Sequence, residues 1–205
     1  MFTKYPRTYH LPWSEGITRD DRVLNNIDNF IGKNVIITEK MDGENSTLYS
    51  DGSSHARSID SKNHESRNWL KRFWSERSFL SDNGIRVCGE NLYAKHSIHY
   101  KELLSYFYGF SIWNNDVCLS WSDTIEYFKK LDIIPVREIY SGIFDPDMRI
   151  KLSYNMEGYV IRLMDSFNIN DFSNSVAKYV RKNHVTTDQH WMNSKITKNE
   201  LKWHI

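Results

Sequence analysis

The sequence contains little cysteine and almost no surplus charge, and it lacks long apolar runs. Two cysteines in 205 residues, Cys88 and Cys118, are too few for a disulfide framework or a thiolate metal site, and we expect both to be small buried residues. A formal net charge of +1 gives no overall polybasic signal, so any contact with nucleic acid must come from local clusters. Because a membrane-spanning run and a signal-peptide core are both missing, the sequence predicts an intracellular, cytoplasmic protein, in the host cytoplasm if the source is viral.

Two stretches nevertheless carry excess positive charge. Residues 62–77 contain five basic and two acidic side chains, and residues 175–205 contain six basic and two acidic ones. Such runs are usually solvated faces, and the alternative is contact with phosphate groups. The sequence leaves both interpretations open for each stretch.

Length and patterning predict a single α+β domain over residues 1–205, in which residues 183–205 form a short C-terminal tail. Alternating or β-branched runs between turn-forming dipeptides predict strands and hairpins, and helical spacing occurs twice. Because hairpins dominate and helices are few, we expect mainly antiparallel sheets with flanking helices. The predicted strands cover 35–38, 46–50, 53–58, 85–90, 106–113, 117–119, 133–140, 157–162 and 176–181, and the predicted helices cover 63–79 and 123–131.

Three local patterns make more specific predictions. The dipeptide Asp51-Gly52 predicts a tight two-residue hairpin turn. Asp123 and Glu126 have capping-box spacing, which places the start of the second helix there. The opening stretch to Phe30 is irregular, and we expect it to pack as a lead-in.

The most informative motif is the run EKMDG at 39–43, with Asn45 two residues further on. The preceding run is rich in β-branched residues, so a strand is expected to deliver Lys40. A lysine amine that attacks an electrophile must be neutral, although an unperturbed amine has a pKa near ~10.4. Burial and nearby positive charge lower that pKa, while carboxylates position the amine and a metal ion. A reactive lysine therefore needs carboxylates at strand ends and further cations nearby.

Four later runs supply such groups in order. Glu90 ends a strand in VCGEN, and Phe110 in YFYGFSI offers a ring face to a purine. Glu157 opens EGYVIR, where the glycine lets the backbone approach a ligand closely, and Lys178 lies in the basic strand VAKYVRK. Taken singly, these residues are more often surface glutamates, core aromatics and strand-edge lysines. Their order along the chain is what indicates a nucleotide site.

In this order the runs resemble motifs I, III, IIIa, IV and V of the covalent nucleotidyltransferase superfamily, which contains ATP-dependent DNA and RNA ligases and mRNA capping enzymes. Glu39 before the lysine and Asn45 after it are similar to the nick-sealing RNA ligase branch. The resemblance covers residues 35–182. It implies an ATP-grasp-like adenylyltransferase domain, a lysyl-AMP intermediate, and ATP with Mg²⁺ or Mn²⁺ as cofactors.

The resemblance also implies a role for each matching residue. Lys40 takes AMP, Glu157 acts around the metal ion and the lysine, and Lys178 binds the α-phosphate. Glu90 contacts the ribose, and Glu90 and Glu157 are the candidate metal ligands. The remaining nucleotide-binding positions are Glu39 (adenine amino group), Asn45 and Arg57 (phosphate or the RNA 5′-phosphate end), Phe110 (adenine stacking), and Arg181 and Lys182 (basic groups of the last motif).

Two positions depart from the family pattern. Ser111 stands where an acidic residue commonly follows the motif IIIa phenylalanine, and Val180 stands where the last motif often has a second lysine. Arg181 or Lys182 is then the replacement. The residues after Lys182 are too few for an OB-fold domain, so we expect a minimal enzyme, or one in which a partner protein replaces that domain.

The function implied is ATP-dependent joining of RNA 3′-OH and 5′-phosphate ends, in nicked or broken RNA, by a monomer active in RNA repair without membrane contact. A minimal DNA ligase is the nearest alternative, and the missing domain disfavours a capping guanylyltransferase. A non-catalytic module that binds RNA ends is the alternative from a different class.

Overall fold

The computed structural model describes residues 2–61, 63–148, 150–182 and 196–202. Most of the predicted tail, residues 183–195 and 203–205, lies outside the described residues, as does Lys62 of the first basic stretch. Within the described residues the chain forms three α-helices, α1 (Asn68–Ser75), α2 (Trp121–Lys130) and α3 (Phe172–Ser175). The same residues form twelve strands: β1 (Tyr9–His10), β2 (Asn34–Lys40), β3 (Glu44–Tyr49), β4 (Ser54–Ala56), β5 (Ile85–Asn91), β6 (Phe107–Asn114), β7 (Val117–Cys118), β8 (Ile134–Pro135), β9 (Glu138–Ile143), β10 (Gly158–Leu163), β11 (Phe167–Asn168) and β12 (Val176–Val180).

The strands form two mainly antiparallel sheets, as the sequence predicts. The first sheet has the order β1-β12-β10-β2-β9, and the second has the order β11-β7-β6-β5-β3-β4, with β8 beside β6. The β1–β12 and β6–β8 pairs are parallel. The chain passes from the first sheet to the second between β2 and β3, directly after Lys40.

One face of the first sheet is a closed apolar core. Val35 and Ile37 of β2 and Ile161 of β10 are buried there, and Leu11 and Phe30 of the lead-in cover them. Alternate residues of a strand point to opposite faces, so the residues between them point away from this core. The lead-in therefore packs as predicted, although Tyr9–His10 forms a short strand that sequence patterning did not indicate.

The opposite face of the same sheet carries Thr38 of β2, Arg162 of β10 and Lys178 of β12. Thr38 pairs with Val160, and Val160 pairs with Lys178. Cross-strand partners lie side by side on one face, so these three positions form a row across the sheet. Two residues along, Arg162 is buried on the same face. This face points into a cavity rather than into the apolar core.

The second sheet packs its central strands against α1 and α2. Leu70 and Trp74 of α1 and Phe128 of α2 join Val87 and Ile112 in one buried cluster. Trp74 is therefore a core residue, and the partly buried Trp69 and Phe73 pack against the same cluster. The helix itself is shorter than predicted, because irregular 3₁₀ turns flank it at both ends.

Two local predictions are corrected by the backbone. Tyr49 N donates to Ser53 O, so the first hairpin has a three-residue loop that ends at Gly52, which has a φ of +84°. A glycine with positive φ at the third position is the usual form of such loops. The N-cap of α2 is Ser120, whose hydroxyl accepts a hydrogen bond from Asp123 N, so the helix begins earlier than predicted.

The described end of the tail returns to the body of the protein. Asn199 is buried, and its side-chain amide donates to Leu92 O while its carbonyl oxygen accepts from Tyr100 N. Leu201 forms a bridge with Leu103. Within residues 196–202, Asn199 and Leu201 therefore pack against the body of the protein.

The first basic stretch is largely neutralised by carboxylates. Arg67 contacts Glu44, Arg72 contacts Glu76, and Arg77 contacts Asp132.

Both cysteines are buried and free, as predicted. Among the described residues, the helices are too short and too polar to cross a membrane.

Candidate active site

A cavity of about 250 Å³ lies between the cavity face of the first sheet and the neighbouring face of the second. Ligand pockets of small molecules commonly have a volume of several hundred Å³, so this one has space for part of a nucleotide. Seven of the predicted site residues line it: Glu39, Lys40, Asn45, Arg57, Glu90, Phe110 and Lys178.

Lys40 is the last residue of β2 and pairs with Gly158 of β10. This register places Glu157 beside the lysine, and Lys40 Nζ lies 2.5 Å from Glu157 Oε2. Burial favours the neutral amine, but the carboxylates of Glu157 and Glu90 outweigh it and raise the pKa of Lys40. The amine is therefore charged in this arrangement and must lose a proton before it can attack.

Gly158 permits close packing between strands, a role that the sequence interpretation did not include. A Cβ atom at this position would collide with the carbonyl oxygen of Tyr179 in β12. The missing side chain lets β10 and β12 come together where Lys40 meets Glu157. The glycine therefore helps to set the geometry of this ion pair.

Glu90 faces the lysine from the second sheet. It pairs with Asn45 across β5 and β3, and its Oε1 accepts a hydrogen bond of 3.1 Å from Gly43 N. A Cβ atom on Gly43 would lie 2.6 Å from Asn91 O, which explains the glycine of the EKMDG run. Burial, together with the charges of Glu157 and Asp42, raises the pKa of Glu90 to about 8 despite the opposing charge of Lys40.

Asp42 has a role that the sequence did not reveal. Its Oδ2 accepts hydrogen bonds from Ser97 N at 2.8 Å and Ile98 N at 2.6 Å, and Asp42 N donates to the hydroxyl of Tyr100. The aspartate thus ties the turn after Lys40 to the loop at 97–100. It fixes the place where the chain crosses between the sheets.

Phe110 reaches the cavity through a β-bulge. Cys88 pairs with Ser111 and Gly89 pairs with Gly109, so Phe110 has no partner on β5. A bulged residue is turned away from the regular alternation of its strand. Tyr5 packs edge-on against the ring at 5.3 Å, which leaves Phe110 half-buried at the cavity wall.

Glu39 and Lys178 each have a partner of opposite charge. Arg137 Nε donates to Glu39 Oε2 at 2.9 Å, and Lys178 Nζ lies 3.5 Å from Asp21 Oδ1. Burial and the charge of Lys40 lower the pKa of Lys178. The cavity therefore holds two lysines whose surroundings shift their pKa values in opposite directions.

Comparison with known families agrees with this geometry. The family model described as RNA ligase matches residues 33–180, which contain most of the cavity residues. The chain belongs to the RNA ligase family. A comparison with curated protein sequences gives no match.

Solved structures of RNA ligases share the fold of this family member. One is Naegleria gruberi RNA ligase with a lysine replaced by alanine, in complex with ATP and Mn. It aligns with a TM-score of 0.54 and 18% sequence identity, and the alignment covers 87% of this chain and 58% of that ligase. A glutamate variant of the same ligase with AMP and Mn aligns with a TM-score of 0.54 and 16% identity, covering 87% of this chain and 57% of that one. The likeness confirms the α+β fold class, and the chain spans less than three fifths of the length of these ligases.

Three predicted residues of this RNA ligase domain lie outside the cavity lining, namely Glu157, which contacts Lys40, and the basic residues Arg181 and Lys182. Arg181 has its guanidinium 5.9 Å from the ring of Tyr154, and Lys182 is exposed, with its backbone N–H directed at Glu15. Val180 is buried, so the second lysine position of the last motif is a packing position here. Nucleotide contact by Arg181 or Lys182 stays a prediction.

Arg162 is a cavity residue that the sequence interpretation did not select. It is 4% exposed, its Nη2 donates to Leu119 O at 2.7 Å, and its Nε donates to Leu163 O at 3.1 Å. Its Nη1 has no hydrogen-bond partner within the described part of the chain. The signal was present in EGYVIR, because strand alternation places Arg162 on the same face as Val160.

The lead-in also contributes to the cavity wall. Tyr5, Pro6 and Thr8 line it, although the opening stretch carried no recognisable motif. Asn45 Oδ1, on the opposite wall, is buried and accepts no hydrogen bond from the described residues. Buried polar atoms are normally paired, so Asn45 and Arg162 are two positions where a bound molecule would complete the hydrogen bonding.

Proposed function

We propose that this RNA ligase family member is an ATP-dependent RNA ligase that works through a lysyl-AMP at Lys40. The observation that carries the proposal is that Lys40, Glu90 and Lys178 line one cavity and Glu157 contacts Lys40, although the four residues come from separate strands or strand ends. A reactive amine, two carboxylates and a second cation are the groups that attack on a phosphate requires. Lys40 would attack the α-phosphorus of ATP, forming a P–N bond as the bond to pyrophosphate breaks.

Two further transfers complete the proposed reaction. The oxygen of an RNA 5′-phosphate attacks the lysyl-AMP phosphorus, so the P–N bond breaks and a 5′-5′ pyrophosphate forms. A 3′-hydroxyl then attacks the 5′-phosphate, and AMP leaves as the phosphodiester forms. In these steps Asn45 and Arg57 would bind phosphate oxygens, and Phe110 would stack on adenine.

The choice of ATP and a divalent cation is supported by the donor groups and by the relatives. Naegleria gruberi RNA ligase is described in complexes with ATP and Mn, with AMP and Mn, and with PPi. Clusters of three or more metal-binding side chains do not occur among the described residues. Mg²⁺ is commonly held by one or two carboxylates together with substrate phosphates, so Glu157 and Glu90 fit this type of site.

Residues near Lys40 would control the position and the protonation of its amine. Glu157 Oε2 accepts the hydrogen bond from the ammonium group and orients Nζ, and Glu90 lies across the cavity. A divalent cation bound to these carboxylates would offset the charges that keep the lysine protonated, and would withdraw charge from the phosphate. Lys178 would then stabilise the negative charge that develops on the α-phosphate oxygens.

A sealing assay tests the proposed function. Purified protein, ATP and Mg²⁺ or Mn²⁺ are incubated with matched RNA and DNA substrates, both nicked duplexes and single strands with 3′-OH and 5′-phosphate ends. We expect RNA joining by wild-type protein, loss of joining in Lys40→Ala, and wild-type joining in Lys33→Ala, which changes an exposed lysine outside the cavity.

The other outcomes separate the alternatives. Faster joining of DNA ends would replace the proposal by a DNA ligase. Binding of RNA ends without AMP transfer under either metal ion would indicate a binding module. Joining that persists in Lys40→Ala would contradict the covalent mechanism.

A further inference from the structure

A line of polar contacts connects buried His10 to Lys178 through Asp21. Asp21 Oδ1 lies 3.3 Å from His10 Nε2 and 3.5 Å from Lys178 Nζ. His10 is 1% exposed, and its Nδ1 lies 2.7 Å from Ser14 Oγ. The second carboxylate oxygen, Asp21 Oδ2, accepts hydrogen bonds from Thr18 N at 3.0 Å and Thr18 Oγ1 at 2.8 Å. One oxygen is therefore held by the local turn, and the other faces the lysine.

The backbone fixes this carboxylate relative to the active-site strand. His10 pairs with Lys178 in the parallel β1–β12 ladder, and Leu11 N donates to Lys178 O at 2.8 Å. Val180 N donates to Ser14 Oγ at 2.9 Å, and Gly16 N donates to Val180 O at 2.8 Å. The lead-in is thus bound along the outer edge of β12. The position of Asp21 beside Lys178 follows from this attachment.

Lys178 needs such a partner because its surroundings oppose its charge. Burial is the largest effect that lowers the pKa of Lys178, and the positive charges of Lys40 and Arg57 add to it. Asp21 and Glu157 act in the opposite direction. His10 adds no positive charge at neutral pH, because burial and the charge of Lys178 lower the pKa of its ring. The groups that face Lys178 are His10 and Asp21 from the lead-in, Lys40 from β2, Arg57 after β4 and Glu157 before β10.

Asp21 itself is suited to remain ionised. Burial works against its charge, but the hydrogen bonds from Thr18 and the charge of Lys178 hold the pKa of the Asp21 carboxyl well below its usual range. Glu157 is already in contact with Lys40. Among the described residues, the carboxylate that lies within 4 Å of Lys178 Nζ is that of Asp21.

We propose that Asp21 is a positioning residue for nucleotidyl transfer, which holds the Lys178 ammonium group in place and keeps it charged toward the α-phosphate. The inference rests on the proposed function and adds to it a residue of the lead-in, outside the family match at 33–180. Asp21 acts through Lys178 and does not contact the reacting atoms. The effect is expected on the rate of AMP transfer more than on the binding of ATP.

The test compares Asp21→Asn with Asp20→Asn in single-turnover formation of lysyl-AMP. Asparagine keeps an oxygen for the Thr18 hydrogen bonds and removes the charge, and Asp20→Asn makes the same change at the exposed neighbouring residue. We expect Asp21→Asn to lower the rate constant about tenfold with little change in the ATP concentration for half-maximal rate, and Asp20→Asn to match wild type. The alkaline limb of the pH–rate profile should move to lower pH in Asp21→Asn, since Lys178 then loses its proton more readily. Asp21→Glu, which keeps the charge, should recover most of the rate.

A double-mutant cycle separates this role from general destabilisation. If Asp21 acts through Lys178, adding Asp21→Asn to Lys178→Ala should change the residual rate by less than about twofold. An equal loss in both backgrounds, or a wild-type rate and pH profile in Asp21→Asn, would overturn the proposal. Absence of any lysyl-AMP in wild-type protein would instead reject the proposed function on which the inference rests.

Discussion

Lys40 Nζ donates a hydrogen bond of 2.5 Å to Glu157 Oε2, and strand register fixes this contact because Gly158 pairs with Lys40. The lysine is therefore held as an ammonium ion in the free protein. Its reactivity must depend on what enters the cavity.

The first prediction concerns the pKa of Lys40 in the absence of nucleotide and metal ion. Glu157→Gln removes the nearest negative charge, so the pKa of Lys40 should fall and the neutral amine should appear at lower pH. NMR titration of ¹³C-labelled lysine, with Lys40→Ala for assignment, measures this pKa directly. An unchanged Lys40 titration in Glu157→Gln would show that this contact does not control the charge of the amine.

The second prediction concerns stability and Glu90. Burial raises the pKa of Glu90 in the folded protein to about 8 from an ordinary value near 4.5. Between these values the folded state binds more protons than the unfolded state, so this group makes stability fall as pH rises. Glu90→Gln should therefore have a higher Tm than wild type at pH above 8, by several degrees, and the difference should disappear below pH 4.

Exposed Glu102 provides the control for this measurement. Glu102→Gln should leave Tm within about a degree of wild type throughout the pH range. Equal Tm values for Glu90→Gln and wild type at high pH would show that Glu90 is not held in a destabilising environment. The same Glu90→Gln variant should lose lysyl-AMP formation.

The third prediction concerns Arg162 and uses Arg86 as a matched control. Both arginines are 4% exposed, and each has an Nη1 without a partner among the described residues, but only Arg162 lines the cavity. Arg162→Lys removes the fixed guanidinium geometry, and we expect ATP binding to weaken about tenfold. Arg86→Lys should lower Tm without a change in ATP affinity. Calorimetric titration with ATP distinguishes the two, and equal affinities would remove Arg162 from the nucleotide site.

The fourth prediction concerns Gly158, the first residue of β10. Gly158→Ala forces β12 away from β10, because the new methyl group meets the Tyr179 carbonyl. We expect a loss of unfolding free energy of about 3 kcal/mol or more, as for severe overpacking. Gly32 has a φ of +69°, but a Cβ atom there would meet open space. Gly32→Ala should therefore lower the free energy of unfolding by only about 1 kcal/mol. Urea unfolding measures both, and similar costs would mean that the strands adjust freely.

The motif residues could be predicted because each lies in a short run of sequence that is typical of its chemical role. Lys40, Glu90, Glu157 and Lys178 each lie at or near a strand end with recognisable neighbours, and the cavity brings three of them together with Glu157 in contact. The burial of Trp74 is also consistent with the sequence, since apolar residues at helical spacing share one buried face of a helix.

Other features depend on contacts that no local pattern encodes. Asp21 lies beside Lys178 because the lead-in, which is distant in sequence, pairs with β12 through the two-residue strand β1. Phe110 reaches the cavity because the register between β5 and β6 shifts by one residue. The N-cap of α2 at Ser120 differs from the predicted start because Asp123 and Glu126 have the same three-residue capping-box spacing one turn later. Arg181 and Lys182 follow from the family pattern alone; they lie beyond the end of β12 at Val180, and neither lines the cavity.

The proposed mechanism requires that Lys40 becomes covalently bound to AMP. Mass spectrometry of protein incubated with ATP and Mg²⁺ or Mn²⁺, followed by peptide mapping, measures this most directly. We expect a mass increase of one AMP on the peptide that contains Lys40, absent in Lys40→Ala and reversed by pyrophosphate. Unmodified wild-type protein under both metal ions, or AMP attached to another residue, would contradict it.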